Sequence, residues 1–240
     1  MLVKATSTYI KDLKKQKREN GFLLFLDNIK IIKDSIKNGI KPLCILVEDE
    51  SLNLWNNYNV YKVDRKTIEQ LSDSKTPQGV VCVMEYPQYT VEKPDSNFVV
   101  IDKLQDPGNV GTLIRTATAC GFNTIYLLDS VKLSNSKLVR SSVGTIFQSK
   151  IISLSSKDFI KYAKLWNLNL IKADMNGENI FNSKFNTNVG VVIGNEGNGV
   201  SPEISNLCNK SVSIPMKNNV ESLNASISGA IIMYQISINN

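Results

Sequence analysis

Three stretches of the 240-residue chain set polar side chains among glycines and prolines in patterns that bear on chemistry. The first is Asp106-Pro107-Gly108-Asn109-Val110-Gly111-Thr112-Leu113-Ile114-Arg115. Val110, Leu113, Ile114 and Ala117 recur at i, i+3, i+4 and i+7, an apolar helix face, with Asn109 where an N-cap belongs. Arg115 falls off that face, within two turns of the helix start. There it is either an ordinary surface arginine or a guanidinium fork able to clamp a phosphate bidentately. The second stretch covers residues 189–204, VGVVIGNEGNGVSPEI. Its first five residues suit a short buried strand. Gly194-Asn195-Glu196-Gly197-Asn198-Gly199 then breaks the chain, and Ser201-Pro202 opens a helix, with Ser as N-cap and Pro at the first helical position. Such a turn leaves backbone N–H groups open to a polar ligand. Glu196, just ahead of the helix start, either complements the helix dipole or holds Arg115. In the third stretch, Ile214-Pro215-Met216 is followed, after a polar loop, by Ser222-Leu223-Asn224-Ala225-Ser226. Capping accounts for one of these polar residues at the start of an otherwise apolar helix. Ser222, Asn224 and Ser226 together point to close backbone packing or ligand contact.

What is missing narrows the chemistry further. The chain has no histidine, which removes imidazole bases, Ser-His triads and His-ligated metals. Cys44, Cys82, Cys120 and Cys208 lie far apart beside apolar residues, with no metal-ligand spacing; buried free thiols in a reducing compartment and no bound metal are expected. The glycine loop reads G-x-x-G-x-G rather than the dinucleotide G-x-G-x-x-G, and no G-x-x-x-x-G-K-[ST] occurs. A nicotinamide or flavin enzyme would also need its glycine loop after the first strand, where there is none. No charged-then-apolar leader opens the sequence and no apolar run nears the roughly 20 residues of a membrane helix, so a cytoplasmic protein is expected. The 28 basic and 22 acidic residues give +6. Lys4, Lys11, Lys14, Lys15, Lys17 and Arg18 cluster near the start, as a solvated helix face or an RNA-facing patch.

The elements that must hold the three stretches alternate. Strand patterns at 22–26, 43–47, 60–63 and 80–86 are separated by helical patterns at 28–38, closed by Gly39, and after Asp64. Residues 86–96 (YPQYTVEKPDS), polar and with two prolines, mark a domain boundary. Beyond it strands are expected at 98–101, 124–128, 150–154, 169–173, 189–193 and 211–214. Helices are expected from Asn109, over 136–147 and 158–167, and over 221–238, where Leu223, Ile227, Ala230, Ile231 and Tyr234 line one side. This alternation predicts an α/β fold on a mostly parallel sheet.

NVGTLIR, then IGNEGNGVSPE, then IPMKNNVESLNASISGA resemble, in order and spacing, the three motifs of the SpoU (TrmH-like) RNA 2′-O-ribose methyltransferases of the SPOUT superfamily. The resemblance spans residues 97–238, and extends more weakly to 1–90, similar to the family's small L30e-like substrate-binding domain. It implies two domains, an L30e-like RNA substrate-binding domain over 1–90 and a methyltransferase domain over 97–240 with a C-terminal trefoil knot. It also implies a homodimer that transfers a methyl group from S-adenosylmethionine to a ribose 2′-hydroxyl of structured RNA, 23S rRNA ahead of tRNA. By position Gly194, Ile214 and Leu223 would line the cofactor pocket, and Arg115, Asn109, Glu196, Ser222 and Asn224 match the family's polar active-site residues. Glu196 would position Arg115, while Asn109 and Asn224 brace the loops. One departure is Asp27-Asn28, where relatives more often carry Glu-Gly. The alternative is an RNA-binding or ribosome-assembly protein that kept the fold without catalysis.

Overall fold

The computed structural model describes residues 2–19, 23–52, 54–55, 57–185, 188–218 and 220–239. The chain forms two compact units, one of residues 1–87 with 133–140, the other of 88–132 with 141–240.

The first unit is a five-stranded mixed sheet. Its elements are β1 (Val3–Lys4), α1 (Ser7–Glu19), β2 (Leu23–Leu26), α2 (Ile29–Lys37), β3 (Pro42–Val47), β4 (Val60–Lys62), α3 (Arg65–Leu71) and β5 (Val80–Glu85). Strand order is β1-β4-β3-β5-β2, with β5 antiparallel to both neighbours. Phe22, expected to open β2, lies outside the described residues. Side-chain caps start two helices: Asn28 Oδ1 accepts Ile31 N–H at 3.1 Å, and Asp64 Oδ1 accepts Thr67 N–H at 2.7 Å. Gly39 follows α2 at φ +84°, the left-handed C-terminal stop. Ile10 and Leu13 of α1 and Ile68 and Leu71 of α3 pack on Phe25, Cys44, Leu46, Val81 and Val83. Two residues are too short for any periodicity, and β1 was not anticipated; Val3 simply pairs with Tyr61.

The chain continues with β6 (Phe98–Asp102), α4 (Pro107–Ala119), β7 (Thr124–Leu128), α5 (Ser136–Ser141, all but its last residue belonging to the first unit), β8 (Lys150–Leu154), α6 (Ser156–Trp166), β9 (Asn169–Asn179), β10 (Val189–Ile193), α7 (Pro202–Ser205), β11 (Lys210–Ser213) and α8 (Ala225–Ser237), the rest of which make up the second unit. The order is β11-β9-β10-β6-β7-β8 and every pair is parallel. Helices cover the sheet, so β6 and β10 are buried along their whole length. Phe98, Tyr126 and Phe159 anchor one side; the Phe98 and Tyr126 rings meet edge-on at 5.9 Å and Tyr126 Oη donates to the Glu92 carbonyl.

Three expected elements change shape. The helix expected over 136–147 ends at Ser141, because Val143 (φ +51°) and Gly144 (φ +84°) turn left-handed before a 3-10 turn at Thr145–Phe147. Strand β9 runs six residues past Ala173, and its pairing with β11 shifts register between Ser211 and Val212. Helix α8 starts at Ala225, not at 221. Asn224 is its N-cap, accepting Ser226 N–H at 2.9 Å, so Ser222 and Leu223 belong to the preceding loop. Its buried side is also not the expected one: Ser226, Gly229, Ile232, Met233 and Ile236 face inward. Ile227 and Tyr234 are 51% and 63% exposed. A helix apolar nearly all round has no periodicity to show which side is inner.

Candidate active site

All strands of the second sheet run one way, so the loops leaving β6, β9, β10 and β11 gather at one carboxyl edge. The loop after β10 closes on itself: Asn195 N–H donates to the Gly199 carbonyl and Gly199 N–H returns to the Asn195 carbonyl, both at 2.9 Å. The Asn195 side chain accepts Gly197 N–H at 3.0 Å and Asn198 N–H at 3.3 Å. A Cβ at Gly194 would lie 2.1 Å from the Gly199 carbonyl carbon, so only glycine fits that turn.

This loop, the end of β9 and residues 212–216 and 220–225 surround a cavity of about 1020 Å³, at the upper end of small-molecule sites. Gly194, Ile214 and Leu223 line it, as expected of a cofactor pocket, and so do Glu196, Ser222 and Asn224. Lys172 and Asp174 also line it and were not anticipated. Lys172 Nζ reaches Asp174 Oδ2 at 3.0 Å and Ser205 Oγ at 2.8 Å. The Asn176 N–H and then Lys172 hold the Asp174 carboxyl below the usual carboxylate range. The signal was present in LIKAD, a charged pair closing an apolar strand, but it read as a strand end.

Asn109 ties the loops together. Its Nδ2 donates to Glu196 Oε1 at 2.8 Å, and its Oδ1 accepts from Asn224 Nδ2 at 3.0 Å and Ser226 Oγ at 3.3 Å. Ser226 Oγ also donates to Asn224 Oδ1 at 2.6 Å. One amide thus joins the first turn of α4, the glycine loop and the start of α8. Asn109 is not the N-cap. Asp106 is, accepting Asn109 N–H at 2.9 Å, because Pro107 takes the first helical position and has no N–H to be capped.

Arg115 departs from expectation as well. It is exposed on the third turn of α4 and makes no hydrogen bond or ion pair among the described residues. Glu196 does not hold it; that carboxylate is engaged by Asn109 instead.

The family model for SpoU rRNA methylases matches residues 96–234, over half of the chain. The chain belongs to the SpoU rRNA methylase family. A second model, for RNA 2′-O ribose methyltransferase substrate binding, matches residues 30–90. This SpoU chain is therefore an S-adenosylmethionine-dependent RNA ribose 2′-O-methyltransferase. It is 26% identical over 228 residues to a 23S rRNA (guanosine(2553)-2′-O)-methyltransferase of Bacillus subtilis, covering 93% of this chain and 91% of the relative. A 23S rRNA (uridine(2479)-2′-O)-methyltransferase of Streptomyces viridochromogenes is 29% identical over 229 residues, 82% of this chain and 80% of its own. Among solved structures, an AdoMet-bound rRNA methyltransferase from Sinorhizobium meliloti superposes with a TM-score of 0.84 at 23% identity, over 98% of this chain and 96% of that one. The SpoU methyltransferase AviRb of S. viridochromogenes with AdoMet gives 0.81 at 23%, over 98% of each chain. At that identity the likeness is one of fold.

The cavity suits the cofactor chemically. Gly194, Gly197 and Gly199 expose only backbone, Ile214 and Leu223 offer apolar surface, and the carboxylates of Asp174 and Glu196 suit a ligand carrying sulfonium and ammonium charge. No helix among the described residues is long and apolar enough to cross a membrane.

Proposed function

We propose that this SpoU methyltransferase modifies a ribose 2′-hydroxyl of 23S rRNA, as a cytoplasmic homodimer. The preference for 23S rRNA over tRNA rests on the Bacillus and Streptomyces relatives, which match over at least 80% of their own length and carry that substrate in their names. The observation that carries the catalytic reading is the Asn109 network, which ties the first turn of α4 to Glu196 and Asn224, two residues that line the cavity.

S-adenosylmethionine, when bound, supplies a methyl group already activated on sulfur. Gly194, Ile214 and Leu223 hold that ligand. The protein's remaining task is alignment of the incoming hydroxyl. The chain has no histidine, and a guanidinium offers donors but no acceptor, so Arg115 does not act as a base. It grips the RNA phosphate beside the target ribose, and its exposed, unpaired state leaves all its donors free for that. The hydroxyl proton leaves late, to solvent. Glu196 and Asn224 fix Asn109, and Ser222 faces the same cavity as a hydrogen-bonding group.

Residues 1–90 are assigned to RNA binding and 97–240 to methyl transfer, the latter closing in a trefoil knot through the loops around the cavity. Charge supports the division. Residues 1–87 with 133–140 hold 16 Lys/Arg against 11 Asp/Glu, net +5, while the rest of the chain carries 12 against 11, net +1. Lys17 is withdrawn from the RNA-facing set expected from sequence, since its Nζ pairs with Asp73 at 2.9 Å and donates to the Leu71 carbonyl at 2.7 Å. Lys11, Lys15 and Arg18 remain exposed on α1, and Lys30, Lys33 and Lys37 form an exposed stripe on α2. The dimer reading rests on exposed Ile227 and Tyr234 on α8 and exposed Ile238 just past its end, with half-buried Ile231 between them.

Transfer of labelled methyl into separated unmodified rRNA and tRNA, with Arg115→Ala alongside, tests this. Label recovered as a 2′-O-methylnucleoside from 23S rRNA, and lost in the variant, is the expected result. Label in tRNA alone overturns the substrate. Cofactor binding with full transfer by Arg115→Ala removes that residue from the mechanism. RNA binding without cofactor binding turns the reading to a binding protein.

A further inference from the structure

The glycine loop needs an anchor outside the cavity, and it has one. Asp102, the last residue of β6, is fully buried, an unusual place for a carboxylate. Its Oδ2 accepts the backbone N–H of Ser201 at 2.6 Å, across 99 positions of sequence. The next residue repeats the grip twice: the Lys103 carbonyl accepts from Asn195 Nδ2 at 3.1 Å, and Lys103 Nζ pairs with Glu203 Oε1 at 2.6 Å. Lys103 itself sits at φ +57°, a turn that aims its carbonyl and its side chain at two ends of the same loop. Residues 195–203 are thus pinned to the end of β6 at both limits of the turn, while residues 196–200 between them face the cavity.

A purely stabilising role explains Asp102 poorly. Its other oxygen, Oδ1, has no hydrogen-bond partner among the described residues, and a buried carboxylate oxygen left unpaired lowers stability. An apolar side chain of similar shape would remove that unpaired oxygen, but it would leave the Ser201 N–H without an acceptor. What the carboxylate gives, and an apolar group could not, is a fixed position for Ser201 N–H and with it the end of the glycine loop.

We propose that Asp102 is a positioning residue for S-adenosylmethionine binding, acting through the Ser201 N–H to hold the 194–200 loop in the shape that accepts the cofactor. This rests on the cavity being the cofactor site. One variant separates the bond from the space it occupies. Leu has the branched shape of Asp but no acceptor, so Asp102→Leu removes the bond to Ser201 N–H while keeping the site filled.

Calorimetric titration of S-adenosylmethionine into the full chain, thermal melting without ligand, and methyl transfer at saturating cofactor would be measured for Asp102→Ala, Asp102→Asn and Asp102→Leu. A lost hydrogen bond to a charged group predicts about tenfold or more weaker cofactor binding in Asp102→Ala and Asp102→Leu, with turnover at saturating cofactor within about twofold of the unaltered chain. Asp102→Asn keeps an acceptor for Ser201 N–H and is expected to restore affinity to within about threefold. Should Asp102→Ala fail to fold, Asp102→Leu and Asp102→Asn decide the matter alone. Unchanged affinity in Asp102→Leu, or equal losses in Asp102→Asn and the other two, overturns the proposal. Absence of binding by the unaltered chain overturns instead the cofactor reading beneath it.

Discussion

Asn109 is the residue on which most of the site hangs, and an amide is what its position requires. It must donate on one side, to Glu196, and accept on the other, from Asn224 and Ser226. Alanine there removes both interactions. Aspartate keeps the acceptor but sets a second carboxylate against Glu196, so Asn109→Asp is expected to fall below Asn109→Ala in methyl transfer, each at least about tenfold below the unaltered chain. Single-turnover assays on both variants check the order; the reverse order would mean that the Glu196 contact does not matter in turnover. The sequence marked Asn109 and Glu196 as polar residues of interest but paired them wrongly. Spacing shows that a side chain leaves an apolar face. It does not show which of two distant loops that side chain meets, and so Arg115 was given a partner that Asn109 has.

Elements were readable where local chemistry decides them. The strands Thr124–Leu128, Lys150–Leu154 and Val189–Ile193 fall where an apolar run between turn residues puts them, and Asn28 and Asp64 cap the helices they precede. Strand order, and the inner side of α8, were not readable, because both depend on partners far along the chain. The link between β7 and α6 gives a prediction at this scale. Asp129, at φ +46°, accepts from Ser156 Oγ at 2.6 Å and Ser156 N–H at 2.9 Å, and these bonds hold its carboxyl below the usual carboxylate range. A depressed folded pKa contributes stability that is present above the unfolded value of about 3.9 and is lost as pH falls through the lower folded value. Melting temperature is therefore expected to drop less between pH 7 and pH 3 in Asp129→Asn, whose side chain tolerates the same backbone. Parallel pH profiles for the two proteins would assign the acid sensitivity elsewhere. On α8, the double substitution Ile227→Glu with Tyr234→Glu is expected to convert a dimer to a monomer in sedimentation equilibrium. An unaltered chain already at monomer mass rejects the dimer, and a variant that stays dimeric moves the interface off this helix.

For the whole molecule the uneven charge matters most. If phosphate contacts come chiefly from the first unit, replacing Lys30, Lys33 and Lys37 by Gln weakens RNA binding and lowers the slope of log affinity against log salt by about 0.7–0.9 for each lysine that meets a phosphate. Cofactor binding is expected to stay unchanged, since those residues lie in the other unit. An unaltered salt slope would leave α2 a solvated face. The sequence placed basic residues near the start of the chain but could not show that Lys17 is spent internally, nor that residues 133–140 pack with the first unit although they follow β7 of the second. Both facts arise from contacts between segments more than fifty residues apart.

The turn at Gly194 has one more consequence. Its ligand-facing wall is largely main chain, and its shape is set by groups that point elsewhere: the Asn195 side chain, Asp102 and Lys103. A change at Asp102 or Lys103 therefore alters that wall from behind, with no ligand-facing side chain removed.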